Sequence, residues 1–319
     1  MASNLEIRPP HAMNFHHLQV FYTVAKRLSY SRAAEELYIS QPAVSRHVQS
    51  LEKDLGAKLL GQRGNRVYLT DAGRIVFDYA QRVFGLTNEV KRALEELEGL
   101  QRGYLRLGAS STPGAYLLPQ VVTLFRERYP GVEVSLAIGN SQQIEKRVLR
   151  NELDLGVVGA RFLPELQVRP YARDTLVLIV PTGHPFAERE AVSPEELERE
   201  PFILREAGSG TRRIVEEELA RVGVTLRHSF ELCGCEAVKR AVAAGMGIAF
   251  VSGYSVSLEI ASEILRSVAI PDLRLERELS IISHKDVRPS AAALAFLALV
   301  RKAPLPKAIG KNGDLDGNR

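Results

Sequence analysis

The chain has 319 residues, of which 45% are hydrophobic and 25% charged. That is an ordinary globular composition, so a wholly disordered chain is excluded, and at roughly 100–200 residues per domain the length predicts about two to three domains. The formal net charge of +4 admits an acidic partner without requiring one. Residues 1–13 contain Arg8-Pro9-Pro10-His11 and no apolar run. They are expected as a disordered extension, not a signal peptide. Later apolar stretches such as Leu176 to Pro181 are too short to span a bilayer as helices, so a soluble, cytoplasmic protein with no membrane partner is expected.

Leu18, Phe21, Val24, Ala25 and Leu28 space a first amphipathic helix. Ser29-Tyr30-Ser31 interrupts it, and Ser31 is the expected cap of a second helix, Arg32 to Leu37. After the turn Tyr38-Ile39-Ser40, a third helix opens with Gln41-Pro42, a proline position suited to a first turn. Val44, Val48 and Leu51 form its buried stripe, which leaves Gln41, Ala43, Ser45, Arg46 and Gln49 outward. Amides and guanidiniums read base edges and hydroxyls hold phosphates. Two helices joined by a short turn make a helix-turn-helix, whose second helix enters the major groove. Arg63-Gly64-Asn65-Arg66 then marks the tip of a hairpin, a basic wing suited to phosphates or the minor groove. Any three-helix unit can show such a pattern, but charge favours double-stranded DNA as partner. Nine basic and five acidic residues from Asn14 to Arg74 account for the whole excess of the chain.

A long helix is predicted from Asp71 to Gly99, capped by Asp71 or Thr70. Val76, Val83, Val90 and Leu97 recur every seven residues, with Ala80, Thr87 and Leu94 between them. That seam needs a partner, and the same helix of a second chain is favoured over packing on its own domain.

Beyond Leu100 strands alternate with helices. Leu105–Gly108, Val132–Ile138, Leu153–Val158, Thr175–Val180 and Ile248–Val251 read as strands, and Leu117–Arg128 and Gln142–Asn151 as helices. The alternation predicts an α/β domain with a largely parallel sheet and ligands beyond the strand ends. Four strand-to-helix junctions carry polar groups: Ser110, Ser111 and Thr112; Asn140 and Ser141; Arg205, Ser209, Gly210 and Thr211; and Cys233 and Cys235. One alone is an ordinary cap, but four point to converging helix N-termini that hold a small anion. The thiol of Cys235 at a helix start is a candidate for reactivity, although an inert pair flanking the pocket is the weightier reading. Two thiols one residue apart are neither a disulfide framework nor, alone, a structural zinc site. The seven histidines are dispersed, and no nucleophile elbow, phosphate loop or His-Glu-x-x-His pair occurs, so neither enzyme, metal nor cofactor is expected.

The run Ser31-Arg-Ala-Ala-Glu-Glu-Leu-Tyr-Ile-Ser-Gln-Pro-Ala-Val-Ser-Arg-His-Val-Gln-Ser-Leu-Glu52, with Leu55-Gly-Ala-Lys-Leu-Leu60 and Leu69-Thr-Asp-Ala-Gly73, resembles the LysR-type transcriptional regulators. The resemblance covers nearly the whole chain. It implies an N-terminal all-α winged helix-turn-helix over residues 14–71, a linker and dimerisation helix over 72–100, and an effector-binding domain over 101–303. The last is two α/β lobes resembling periplasmic solute-binding folds, followed by a flexible tail, 304–319. It implies Gln41, Pro42, Ser45 and Arg46 at the DNA. Ser31, Arg32, Ala43, Gln49, Arg63, Asn65 and Arg66 complete the expected contact set. The arginine that the family commonly carries entering the wing is absent from Leu59-Leu60-Gly61-Gln62. A homodimer or homotetramer is implied, with RNA polymerase a further candidate partner. Leu105 to Pro119 looks most like the sulfur-assimilation and carbon-fixation branch, which implies sulfate-like, sulfur-metabolite or phosphorylated-sugar effectors. The C-terminal half alone also admits a transport-type solute-binding protein.

Overall fold

The computed structural model describes residues 13–64, 66–97, 102–159, 163–310 and 315–316. The chain divides into two compact units, Met1–Asn88 and Glu89–Arg319. Expectations for residues 1–12 and for Asn65 lie outside the described residues.

In the first unit, α1 (Phe15–Arg27), α2 (Tyr30–Leu37) and α3 (Gln41–Leu55) enclose a core of Leu18, Phe21, Val24, Ala33, Val44, Val48 and Leu51. Ser29, not Ser31, caps α2, because its hydroxyl accepts from the Arg32 amide. Tyr30 packs against the core, so the helix must begin early enough to include it. Pro42 lies in the first turn of α3, and Gly56 ends that helix at φ 65. The helix therefore runs one turn beyond Leu51.

Strands β1 (Leu60–Arg63) and β2 (Arg66–Leu69) pair antiparallel, with Gly64 at φ +60 following β1. Helix α4 (Asp71–Leu97) follows. Thr70 is its cap: the hydroxyl accepts from the Gly73 amide at 2.9 Å and donates to the Lys58 carbonyl at 2.6 Å. A Cβ on Gly73 would lie 1.9 Å from the Leu59 carbonyl oxygen, so this position requires glycine. The motif Leu69-Thr-Asp-Ala-Gly73 thus seats the long helix on the wing.

The heptad seam is corrected in its first half. Val76, Ala80 and Val83, with Phe77 and Phe84, pack on the core of their own unit. Among the described side chains of α4, the large apolar residues left outward are Ile75, Tyr79, Leu86 and Val90, at 60%, 63%, 59% and 62% exposure. The side chains of Leu94 and Leu97 lie outside the described ones.

The second unit has two lobes. Lobe I holds β3 (Gly103–Ser110), α5 (Leu118–Arg128), β4 (Val132–Gly139), α6 (Ser141–Leu149) and β5 (Leu155–Gly159). The long β6 (Leu166–Pro181) then carries the chain into lobe II. There follow β7 (Pro201–Arg205), α7 (Gly210–Arg221), β8 (His228–Leu232), α8 (Cys235–Ala243), β9 (Ala249–Ser252), α9 (Ser257–Ala261) and β10 (Leu265–Val268). Strand β11 (Glu276–His284) returns to lobe I, where α10 (Ala291–Val300) completes the layer. The main sheet runs β10-β6-β11-β5-β3-β4, with β9 on β6, and β7 pairs β8 separately.

The expected largely parallel sheet is corrected to a mixed one. β3 lies parallel to β4 and β5, but β11 is antiparallel to both β5 and β6. The reason is the double crossing: a chain that leaves lobe I on one strand and returns on its neighbour must run antiparallel. Separate cores fill lobe I around Phe125 and Phe296 and lobe II around Phe202 and Phe250. The expected flexible tail is corrected in part, since Ala308 and Ile309 are buried at 4% and 2% exposure.

Candidate functional site

The outward face of α3 carries what the sequence placed there. Gln41, Pro42, Arg46 and Gln49 are exposed, and Ala43 and Ser45 are half-buried. Ser31 and Arg32 are exposed on α2, and Arg63 and Arg66 face each other across the base of the hairpin turn. Among the described residues, Arg32, Arg46, Arg63 and Arg66 make no ion pair. Arg27 is instead held by Glu36 at 2.5 Å, and Arg74 lies 3.8 Å from Asp71. Four cations without an acid partner thus lie on the expected reading face. Sequence reasoning missed Tyr38, 95% exposed at φ 55 in the turn before α3. A turn aromatic carries no periodic signal. Gly61 in the wing also has a local reason: a Cβ there would lie 2.3 Å from the Tyr68 ring.

The wing is fixed to α3 by Glu52, buried at 7% exposure. Its carboxylate accepts from Lys58 Nζ at 2.7 Å and from the Leu59 and Leu60 amides at 2.9 and 3.3 Å. Burial alone would raise this carboxyl, but those donors outweigh it and hold it below the ordinary glutamate value.

In the second unit, three of the four expected junctions converge. Ser110, Ser111, Thr112, Asn140, Ser141, Arg205, Ser209, Gly210 and Thr211 line one pocket with Arg277. Its free volume, about 10 Å³, has room for about one water. Asn140 caps α6 by accepting from the Gln143 amide at 2.9 Å, and Ser209 caps α7 through the Arg212 amide at 3.5 Å. Two helix N-termini therefore flank the pocket, each a partial positive charge with spare amide donors.

The guanidiniums of Arg205 and Arg277 are each only 6% exposed. Arg205 bonds Glu206 at 2.8 Å and donates across the lobes to Ser111 Oγ at 3.0 Å. Arg277 bonds Asp174 at 2.7 Å and reaches Thr211 at 3.0 Å and Thr112 at 3.5 Å. Asn140 Nδ2 donates to the Ala207 carbonyl at 3.2 Å, another bond between lobes. A Cβ on Gly210 would lie 2.0 Å from the Gly159 carbonyl oxygen, so the lobes meet backbone to backbone there.

Arg277 was missed. It stands opposite Asp174 in the β6–β11 register, a pairing between residues that are distant in the chain. The fourth junction is corrected. Cys233 and Cys235 do not line this pocket. Cys233 is exposed, and Cys235 is buried and bonded to the Ser255 hydroxyl. Burial raises the Cys235 thiol above its ordinary pKa, opposite to an activated nucleophile. Both thiols are free. The junction is tied to the pocket indirectly: the Gly234 amide donates at 3.2 Å to Glu206, the carboxylate that holds Arg205. Among the described residues no group of three or more His, Cys, Asp or Glu could hold a metal ion. No described helix is long and apolar enough to cross a membrane.

A DNA-reading helix-turn-helix unit followed by two lobes around a polar cleft defines a ligand-responsive regulator. Residues 15–74 match the bacterial regulatory helix-turn-helix proteins of the lysR family, and residues 98–304 match the LysR substrate binding domain. The chain belongs to the LysR family of transcriptional regulators. It is 38% identical over 286 residues to a probable RuBisCO transcriptional regulator of Cyanophora paradoxa, covering 88% of each chain. The regulatory domain of CcmR from Synechocystis PCC6803, solved in complex with 2-PG, is 33% identical. That match covers 63% of this chain and 97% of that one, with a TM-score of 0.60. Full-length CbnR complexed with its target DNA shares the fold at 22% identity and a TM-score of 0.64, over 91% of this chain and 99% of that one. The alternative of a transport-type solute-binding protein finds no support in these matches.

Proposed function

We propose that this regulator reads DNA with Gln41, Ser45, Arg46 and Gln49 on base edges, while Ser31, Arg32, Arg63 and Arg66 hold phosphates. A second copy brings a second recognition helix, joined through the outward stripe Ile75, Tyr79 and Leu86 of α4. The effector is a small anion such as 2-PG, taken where Ser111, Thr112, Ser141, Thr211, Arg205 and Arg277 converge. That convergence of hydroxyls, two buried guanidiniums and two helix N-termini is the observation that carries the reading. The pocket is filled by bonds between its own lobes, so an anion enters by replacing Arg205–Ser111 and Arg277–Thr112. Binding therefore exchanges lobe–lobe bonds for lobe–ligand bonds. It favours one arrangement of the lobes over another, which is what a switch requires. Calorimetric titration of the full-length protein with 2-PG, phosphate and sulfate tests this. Binding that Thr112→Val and Arg277→Gln each weaken about tenfold or more is expected. Absence of binding by all three anions, or binding indifferent to both substitutions, contradicts it.

A further inference from the structure

The polar pocket shares Ser141, Ser209 and Gly210 with a larger chamber of about 610 Å³ beside it. Glu145 of α6 and Arg213 of α7 line that chamber from opposite lobes. Both helices start at the anion pocket, and Glu145 lies four residues beyond Ser141. Residues four apart share a helix face about 6 Å apart along the axis. The chamber thus lies about one helical turn along α6 and α7 from the first pocket.

Two polar groups there make no hydrogen bond among the described residues. Glu145 is only 7% exposed, and among the described residues its carboxyl makes no hydrogen bond. Burial pushes it up to about 7, with Arg213 acting against that rise. Arg213 Nε is buried with no hydrogen-bond partner, since its nearest acid, Glu217, lies 3.7 Å away. Arg205, Arg277 and Arg212, by contrast, hold carboxylates at 2.8, 2.7 and 2.7 Å. The buried Nε is a donor left unmade, which costs stability, and a guest that accepts from it while also bonding the Glu145 carboxyl recovers that cost. A hydroxyl does both at once. It donates to the carboxylate and accepts from Nε, and it adds no charge to a space that already holds both signs.

We infer that Glu145 and Arg213 form a hydroxyl-reading subsite, so that the preferred effector is a small anion bearing a hydroxyl about one helical turn from its anionic group. This rests on the anion reading of the adjoining pocket. Glycerol 3-phosphate, a three-carbon hydroxylated ester that reaches about that far, is the probe, with inorganic phosphate as the reference for the pocket alone. Titrated into the full-length protein, glycerol 3-phosphate binds about tenfold tighter than phosphate. Glu145→Leu removes that gain while its phosphate affinity stays unchanged, which also shows that the variant is folded. Arg213→Met does the same from the other wall. If phosphate does not bind, the anion reading falls and this inference falls with it. If phosphate binds but the ester binds no tighter, or if the gain survives both substitutions, the subsite alone is refuted.

Discussion

The two units use the same side chains in opposite ways. On the reading face of α3 and the wing, arginines are exposed and none has an acid within reach among the described residues. In the cleft, Arg205 and Arg277 are buried and each is bonded to a carboxylate. The first arrangement leaves full charge available to a polyanion and makes binding salt-dependent. The second supplies directed donors with little net charge, so effector affinity should vary far less with salt. Glutamate divides the same way. Glu52 is buried with three donors and held low, and Glu145 is buried without a hydrogen bond among the described residues and pushed up to about 7. One is a fastener and the other is a vacancy.

The harshest way to break this contrast is at the seam of the lobes. Gly210→Ala places a methyl against the Gly159 carbonyl oxygen. The backbone cannot yield there without separating the lobes, so a loss of about 3 kcal/mol in the second unit is expected, with effector binding lost. The first unit should be untouched, as hydrogen exchange resolved by unit would record. Equal loss in both units would mean that the substitution acts on something other than the seam.

The two glutamates predict opposite pH limbs. Glu145 has a raised folded pKa, so its contribution is full below the unfolded value near 4.3 and declines as pH rises through about 7. The decline is up to about 3 kcal/mol, and Glu145→Leu should flatten it in the second unit. Glu52 has a lowered folded pKa. Its contribution is present above the unfolded value and is lost as pH falls through the folded one. Glu52→Gln should cost the first unit about 2 kcal/mol at neutral pH and little in acid. Stability measured against pH for both variants reads both limbs, and limbs of the same sign would refute the contrast. The smallest effect is expected of Thr70→Ala. It removes the cap of α4 and should cost about 1 kcal/mol in thermal unfolding, without altering the effector response.

How much the sequence disclosed follows from how each feature is built. The reading helix was legible because its periodicity, proline and outward polar residues all lie within one short segment. Nine of the ten residues that line the anion pocket were legible because each sits at a strand-to-helix junction, a place marked locally. Arg277 was not, since its role comes from the register of β11 against β6, which no local pattern encodes. Cys235 misled for the converse reason: it occupies a helix start like the others, but its thiol turns into the core toward Ser255. The α4 seam misled because a heptad does not say which surface covers it, and here Val76, Ala80 and Val83 serve their own unit. The choice of Ser29 over Ser31 as a cap depended on where the Tyr30 ring packs.

The central claim is that α3 meets DNA through an unneutralised Arg46. A duplex enriched from a random pool by the wild-type protein, titrated at several salt concentrations with wild type and Arg46→Ala, tests it most directly. The account predicts binding at least tenfold weaker for the variant, with effector affinity and melting temperature unchanged; a phosphate contact would also make the salt slope shallower by about one. Affinity and slope identical to wild type would contradict it.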